Sequence, residues 1–420
     1  MQVQKLVIQG GNKLSGTIKI NGAKNSVVAL LPAAILSDEE SSIYNVPNIT
    51  DVEVLKQIIE LLNGKLEVTE DFVKIDSKNI INTVIPEELS NKLRASYYFM
   101  GALLSRFKHV EIYFPGGCNF GARQIDYHLK GFEALGATIT MDGNKFIIDA
   151  KELKGTEIAL NFASVGATIN LMLAAVKAEG TTTIYNAAKE PEIVNVASFL
   201  NNMGAHIRGA GTSTIQIKGV KKLGSAIVDV IPDRIEAGTY LIAGALLGDH
   251  LKIANIIPEH LASLLVKLKE MNVNYTQTAN EIIISKCEEL KATDIKTGVY
   301  PGYPTDLAQP ICVLLAKAQG ISHVTETIYT KRMGHVEYLK RMGANIEIID
   351  NTEIITGPTK FYGTDVEASD LRAGATLFLA ALAAEGKTNI TNIQYILRGY
   401  ENLVKKLANV GANIRIEEIE

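Results

Sequence analysis

The sequence predicts an α+β fold built from six copies of one unit, grouped three and three into two domains. Three observations carry that expectation. One short grammar recurs six times along the 420 residues, at a spacing of about 70. Each copy opens on an Ala-rich apolar helix, continues into a β-branched strand and a second helix, and closes on Gly-Ala before another strand. The chain is also longer than one hydrophobic core usually serves, so six units divide most economically into two groups of three.

Met1 to Ile20 precedes the first copy and reads as strands, Lys5-Leu6-Val7-Ile8 and Thr17-Ile18-Lys19-Ile20, whose pairing partners the pattern leaves open. The six openings are Ala23-Lys24-Asn25, Leu93-Arg94-Ala95-Ser96, Ser164-Val165-Gly166-Ala167, Asp233-Arg234-Ile235-Glu236, Pro304-Thr305-Asp306 and Asp370-Leu371-Arg372-Ala373. Ser, Thr or Asp before an apolar helix can accept bonds from its unpaired N–H groups. The second helix of each copy reads as amphipathic, for example through Val194, Ala197, Ser198, Leu200 and Asn201. Four closings are plain: Leu135-Gly136-Ala137, Met203-Gly204-Ala205, Met342-Gly343-Ala344 and Val410-Gly411-Ala412. Asn63-Gly64-Lys65 and Met271-Asn272-Val273 are worn versions in the first and fourth copies. Glycine there ends a helix in the left-handed conformation, and the β-branched residues beyond it start the return strand. The join between the two groups is expected near Gly224 to Ile231, with no long linker.

Composition narrows the function classes. Hydrophobic residues make up 47% and charged residues 21%, ordinary values for a globular protein. A net charge of −4 provides no overall field for nucleic acid or an acidic membrane surface, so anion binding must rest on locally placed Lys and Arg. Three scattered cysteines, Cys118, Cys287 and Cys312, have neither disulfide nor metal spacing. Met1 to Gly11 lacks a secretory pattern, and Leu241 to Leu247, among the most apolar runs, is far too short to span a bilayer. A cytoplasmic protein without membrane insertion is the expectation. Walker, dinucleotide-binding, His-Glu-x-x-His and Cys-x-x-Cys motifs are absent.

The chemistry-bearing residues concentrate at helix openings and glycine turns. Pro115-Gly116-Gly117-Cys118-Asn119-Phe120-Gly121-Ala122-Arg123 has the composition of an active-site lid, with a thiol and a guanidinium five residues apart. A lone cysteine is ordinarily a small core hydrophobe; glycine neighbours and Arg123 favour instead an exposed, activated thiol. Cys312, inside Pro310-Ile311-Cys312-Val313-Leu314, fits the core reading. Lys24, Arg94, Asp306 and Arg372 sit at helix openings, and Arg123, Arg332 and Arg398 beside glycine-containing turns. Any one of these cations reads as solvated surface charge. Their recurrence at the helix end least favourable to a cation points to an anion site, suited to a phosphate and a carboxylate. Asp306 is either a helix cap or a general base, and Asp370 and Asp126 carry the same two readings. His128 and His335 show no paired spacing and read as satisfied polar groups.

Taken in order, these residues resemble the UDP-N-acetylglucosamine 1-carboxyvinyltransferase family of enolpyruvyl transferases. The resemblance spans essentially the whole chain, through Asn21-Gly22-Ala23-Lys24-Asn25, Leu93-Arg94-Ala95-Ser96, Pro115-Gly116-Gly117-Cys118, Gly121-Ala122-Arg123, Ser164-Val165-Gly166-Ala167-Thr168, Pro232-Asp233-Arg234-Ile235-Glu236, Pro304-Thr305-Asp306, Asp370-Leu371-Arg372-Ala373 and Arg398-Gly399-Tyr400-Glu401. It implies a two-domain inside-out α/β barrel of six βαβαββ repeats, with residues 21–229 in one lobe, 1–20 plus 230–420 in the other, and an active site in the cleft between them. It also implies transfer of enolpyruvate from phosphoenolpyruvate to the 3-hydroxyl of UDP-N-acetylglucosamine with release of phosphate, the first committed step of peptidoglycan synthesis. By position, Lys24, Arg123 and Arg398 resemble phosphate ligands, Arg94 a support for that cluster, and Arg332 and Arg372 carboxylate-side partners. Cys118 resembles the acid and the site of fosfomycin alkylation, Asp306 the base, and Asn25 a contact to sugar and intermediate. Asp126, Tyr127, Ser164, Val165, Gly166 and Ile328 resemble nucleotide-sugar contacts. The implied reaction needs no metal or organic cofactor. The sequence departs from some members at Phe162, Tyr98 and Gln124, which bear on diphosphate binding and loop detail.

Overall fold

The computed structural model describes residues 4–70, 72–114 and 125–418. They form two compact units, Gly22–Ile231 and Met1–Asn21 with Pro232–Glu420, each around its own apolar core. Six sheets are present among the described residues, three in each unit, five of four strands and one of three.

All four-stranded sheets share one pattern: an outer strand runs parallel to the second, and from the second to the fourth each strand is antiparallel to the next. In one of them Glu157–Ala159 lies parallel to Thr181–Tyr185, which pairs antiparallel with Thr214–Lys218, itself antiparallel to His206–Arg208. The three-stranded sheet of His109–Tyr113, Lys145–Asp149 and Thr138–Asp142 keeps this order, with a parallel bridge from Ile85 to Ile112 where the outer strand would be. A parallel pair requires a crossover, and where its two strands follow one another in the chain a helix supplies it, as Val165–Ala175 does between Glu157–Ala159 and Thr181–Tyr185. The chain closes each unit with its own distant segments. Ile227–Asp229 is the parallel outer strand beside Glu40–Tyr44. Leu14–Lys19 takes that place beside Gly248–Ala254, while Gln4–Gln9 sits between Lys387–Thr391 and Asn413–Glu418. The pairing of the N-terminal strands, open in the sequence pattern, is thus with the unit that ends the chain.

Crossover helices are Lys24–Ala34, Tyr98–Phe107 and Val165–Ala175 in one unit, and Arg234–Leu247, Thr305–Lys317 and Leu371–Ala383 in the other. Their Ala/Leu composition leaves no polar stripe, and Leu371–Ala383 is buried along its length up to Leu382. The second helices bury one face. For Pro191–Asn202 the buried stripe includes Ile193, Val196, Ala197 and Leu200, at helical spacing. Val194, Ser198 and Asn201 of the stripe expected from sequence point to solvent, because Ile193 rather than Val194 starts the apolar i, i+3, i+4, i+7 series.

The second helices all end by one rule. Gly136, Gly204, Gly343 and Gly411 have φ between 101° and 108°, and Asn63 and Asn272 have φ 66°. The two worn closings therefore keep the left-handed turn and fill it with asparagine, the residue that tolerates it next best. A second left-handed turn, missed in the sequence pattern, follows the second strand of four repeats, at Asn45, Asn186, Asn255 and Asn392. At the other end of the crossover helices in Gly22–Ile231, Arg106 donates to the carbonyls of Ile35, Ser37 and Ser77. A cation there answers the negative helix ends.

Candidate active site

In the Pro232–Glu420 unit the openings of the three crossover helices carry a linked set of charges. Asp233 and Asp370 are helix caps: the Asp233 carboxylate accepts from the N–H groups of Ile235 and Glu236, and that of Asp370 from Arg372 and Ala373. Of the two readings left for Asp370, capping is the one observed. Asp306 lies inside the first turn of its helix, and its carboxylate bridges two guanidinium groups. Arg332 Nη1 stands 2.8 Å from Oδ1 and Arg372 Nη2 3.1 Å from Oδ2. Arg332 is also 3.9 Å from Asp370, so two arginines and two aspartates are linked. The arginine side chains are 4% exposed and Asp306 is 23% exposed, leaving its carboxylate the accessible member.

Arg372 extends the set inward. Its Nη1 donates to the Tyr400 hydroxyl, 3.3 Å away, and Tyr400 lies 2.8 Å from Thr239 Oγ1. The Thr239 hydroxyl donates to Ile235 O, so the Tyr400 proton is directed at Thr239 and the chain of bonds has one sense. Burial opposes the charge on Arg372, yet Asp306, Tyr400 and Asp233 hold its pKa above the usual arginine value. Burial likewise keeps Tyr400 a neutral phenol.

In the Gly22–Ile231 unit, Lys24 begins its helix and its ammonium stands 3.0 Å from Asp51, a buried carboxylate. Asn25 follows it, half-buried. Arg94 opens the next repeat on a short 3-10 turn and lies over the Tyr97 ring, 5.9 Å from its centroid. Behind Tyr97, Asn170 fixes the geometry: its carbonyl accepts from Gly101 N–H, so its amide donates to Tyr97 O and to His128 Nδ1. That leaves the His128 proton on Nε2. Burial, assisted by the charge of Arg94, lowers the His128 pKa to about 3, so the ring is neutral and serves as a satisfied polar group. Ser164 caps its helix by accepting from Ala167 N–H. Gly166 is required by close approach, since a Cβ there would lie 2.7 Å from the Tyr97 hydroxyl. Asp126 begins its helix and is exposed, with Tyr127 half-buried beside it.

The structure thus brings Asp306, Arg332 and Arg372 together, with Ile328 half-buried on the segment leading to Arg332. Arg398 ends the short helix Gln394–Leu397, half-buried. Cys118, Arg123 and Gln124 lie outside the described residues. Phe162 is exposed, before the helix capped by Ser164. Buried partners absent from the sequence reading are Asp51, Asn170, Tyr400 in its bond to Arg372, and Glu326, which accepts from the Thr305 hydroxyl. Cys312 is buried as expected, though its thiol faces the Glu353 carboxylate, which also contacts His335.

Comparison with known proteins adds a family. The profile of EPSP synthase (3-phosphoshikimate 1-carboxyvinyltransferase) matches residues 8–407. The chain is 51% identical over 417 residues to a protein of Geobacillus kaustophilus named UDP-N-acetylglucosamine 1-carboxyvinyltransferase 2, covering 99% of this chain and 97% of that one. A Bacillus subtilis protein of the same name is 50% identical over 413 residues, covering 98% and 96%. Among solved structures, the enolpyruvyl transferase NikO from Streptomyces tendae superposes with a TM-score of 0.91 at 27% identity, over all of both chains.

Proposed function

The chain belongs to the EPSP synthase (3-phosphoshikimate 1-carboxyvinyltransferase) family of enolpyruvyl transferases, and from that footing we propose that it transfers enolpyruvate from phosphoenolpyruvate to the 3-hydroxyl of UDP-N-acetylglucosamine. The observation that carries this choice of acceptor is identity of about half the residues, over nearly the whole chain, with proteins named for that reaction. The pairing of Asp306 with Arg332 and Arg372 supports it on chemical grounds.

In this reading the Cys118 thiol gives a proton to the methylene carbon of phosphoenolpyruvate, making C2 electrophilic. The sugar 3-hydroxyl adds to C2 while Asp306 takes its proton, giving a tetrahedral phospho-ketal. Loss of phosphate and of a proton from the new methyl group restores the double bond. Lys24, Arg94, Arg123 and Arg398 hold the phosphate as its charge changes, and Arg332 and Arg372 take the substrate carboxylate. A carboxylate arriving at those guanidiniums exchanges with Asp306, which would release the base as the substrate binds. Asn25, Asp126, Tyr127, Ser164, Val165, Gly166 and Ile328 contact the nucleotide sugar. The reaction is the entry to peptidoglycan synthesis, carried out in the cytoplasm, and serves cell shape and division.

Phosphate release measured with purified protein tests the reading. Release is expected only when phosphoenolpyruvate and UDP-N-acetylglucosamine are both present; silence with both would reject it, and turnover with shikimate 3-phosphate instead would move the acceptor. For the thiol, fosfomycin should add one adduct by intact mass, lost in Cys118→Asp.

A further inference from the structure

The left-handed turn after the second strand shows which repeats were altered for another purpose. Asn45, Asn186, Asn255 and Asn392 have φ of 54° to 59°. Three of their side-chain amides donate to the end of the neighbouring parallel strand, at Val230 O, Leu160 O and Ile20 O, and Asn392 donates to the Glu367 carboxylate. The fifth repeat has Glu326 at this place, after Gly320–Thr325, and it is not among the left-handed residues. An amide donor has become a carboxylate acceptor, 4% exposed.

Four donors converge on it. Oε1 accepts from the Thr297 hydroxyl at 2.8 Å, Ile328 N–H at 2.7 Å and Tyr329 N–H at 3.0 Å, while Oε2 accepts from the Thr305 hydroxyl at 2.6 Å. Thr297 follows the parallel outer strand Ile295–Lys296; Thr305 begins the helix that carries Asp306; Ile328 and Tyr329 lead to Arg332. A buried polar network with every donor matched rigidifies what it joins. One side chain therefore fastens both ends of the Arg332–Asp306 contact to the same sheet. We propose that Glu326 is a positioning residue that holds the Asp306 helix turn and the Arg332 segment in register for the transfer reaction. The role rests on the reading of Asp306 as base, and it acts through that residue without touching substrate.

The test compares Glu326→Asn with Glu326→Gln in the full-length protein. Asparagine is what four other repeats carry at this turn, so E326N should fold, but its side chain is too short to gather the four donors. Glutamine keeps an oxygen where Oε1 accepts and an amide that can donate to Thr305. Expected for E326N is a fall in kcat of about 30-fold, KM for both substrates within about threefold, and faster amide exchange at Ile328 and Tyr329 with the Gly320–Thr325 strand still protected. E326Q should stay within about threefold of wild-type kcat. Wild-type turnover in E326N, unchanged exchange at Ile328 and Tyr329, or equal losses in E326N and E326Q would each overturn the proposal. Failure of the wild-type protein to release phosphate would instead reject the transfer reading, and the exchange comparison would then decide on the frame alone.

Discussion

The two units finish the openings of their crossover helices in different ways. In Pro232–Glu420 opposite charges are paired directly: Arg332 and Arg372 face Asp306, Arg332 also lies near Asp370, and of these four Asp306 is the appreciably exposed one. In Gly22–Ile231 the cations are nearer to solvent, Lys24 against the buried Asp51 and Arg94 over an aromatic ring, and the buried His128 behind them is neutral. An anion reaching the first set must exchange with a carboxylate already in place. In the second set Lys24 also has a carboxylate in place, but Asp51 is buried where Asp306 is accessible. The two sets thus differ in what answers their cations: an accessible carboxylate in one, a buried carboxylate and an aromatic ring in the other.

The sharpest way to break that contrast is to remove the exchanging carboxylate. Asp306→Asn should lower kcat for phosphate release by about 10³-fold, because it removes the base and leaves two buried guanidiniums short of one counter-charge. The melting temperature should fall with it. A loss of less than tenfold would mean that Asp306 is structural only. Next in size, Lys24→Ala should reduce kcat/KM for phosphoenolpyruvate by about a hundredfold and cost about 3 kcal/mol in urea unfolding, since Asp51 is 2% exposed and loses its ammonium partner. Lys24→Arg, retaining charge, should recover much of the stability. If K24A were as stable as wild type, the ion pair would be incidental.

Backbone necessity makes the repeats readable in the sequence. A left-handed helix ending admits glycine or asparagine and little else, so Gly136, Gly204, Gly343 and Gly411 stand out, and Asn63 and Asn272 do so once the spacing is known. The equivalent asparagines at 45, 186, 255 and 392 carry the same signal in Tyr44-Asn45, Tyr185-Asn186, Ala254-Asn255 and Thr391-Asn392, at a spacing the same periodicity would reveal. Cations at helix openings are legible because they stand at the wrong end of the dipole. Their partners are not. Arg332 and Arg372 reach Asp306 across 26 and 66 residues, and Asp51, Asn170 and Glu326 look like ordinary polar residues until folding buries them. Periodicity fixes which face of an element is apolar; it says nothing about which polar group a buried one will meet.

Acid response should separate the units, with opposite signs. Burial pushes the Glu236 carboxyl from 4.5 up to about 7, against the pull of Lys406 and with Asp233 adding to the rise. The folded state then holds a proton that the unfolded chain lacks between these values, so this group's stabilisation is full below pH 4.5 and is lost as pH rises through 7. His128, lowered from 6.5 to about 3, does the reverse: its contribution is full above pH 6.5 and is lost as pH falls toward 3. Each is worth about tenfold in the unfolding constant per pH unit inside its window. Going from pH 6.5 to 5.5 in urea melts, Glu236→Gln should lose more stability than wild type, and His128→Gln less. Changes of the same sign in both variants would show that the two sites are not the origin of the acid response.

The smallest expected effect probes the inward end of the Arg372 chain. Tyr400→Phe keeps the ring against Tyr240 and Phe378 and removes only the hydroxyl that accepts from Arg372 and donates to Thr239. One net hydrogen bond costs about 1 kcal/mol, or roughly fivefold in the unfolding constant, and kcat should fall by a similar factor as Arg372 loses one of its two anchors. Thr239→Val breaks the same chain one step further in, leaving Tyr400 able to accept from Arg372 but without an acceptor for its own proton. It should destabilise about as much as Y400F while leaving kcat nearer to wild type. If both variants lowered kcat equally, Arg372 would be held by the chain as a whole; if neither did, the pair with Asp306 alone would suffice to orient it.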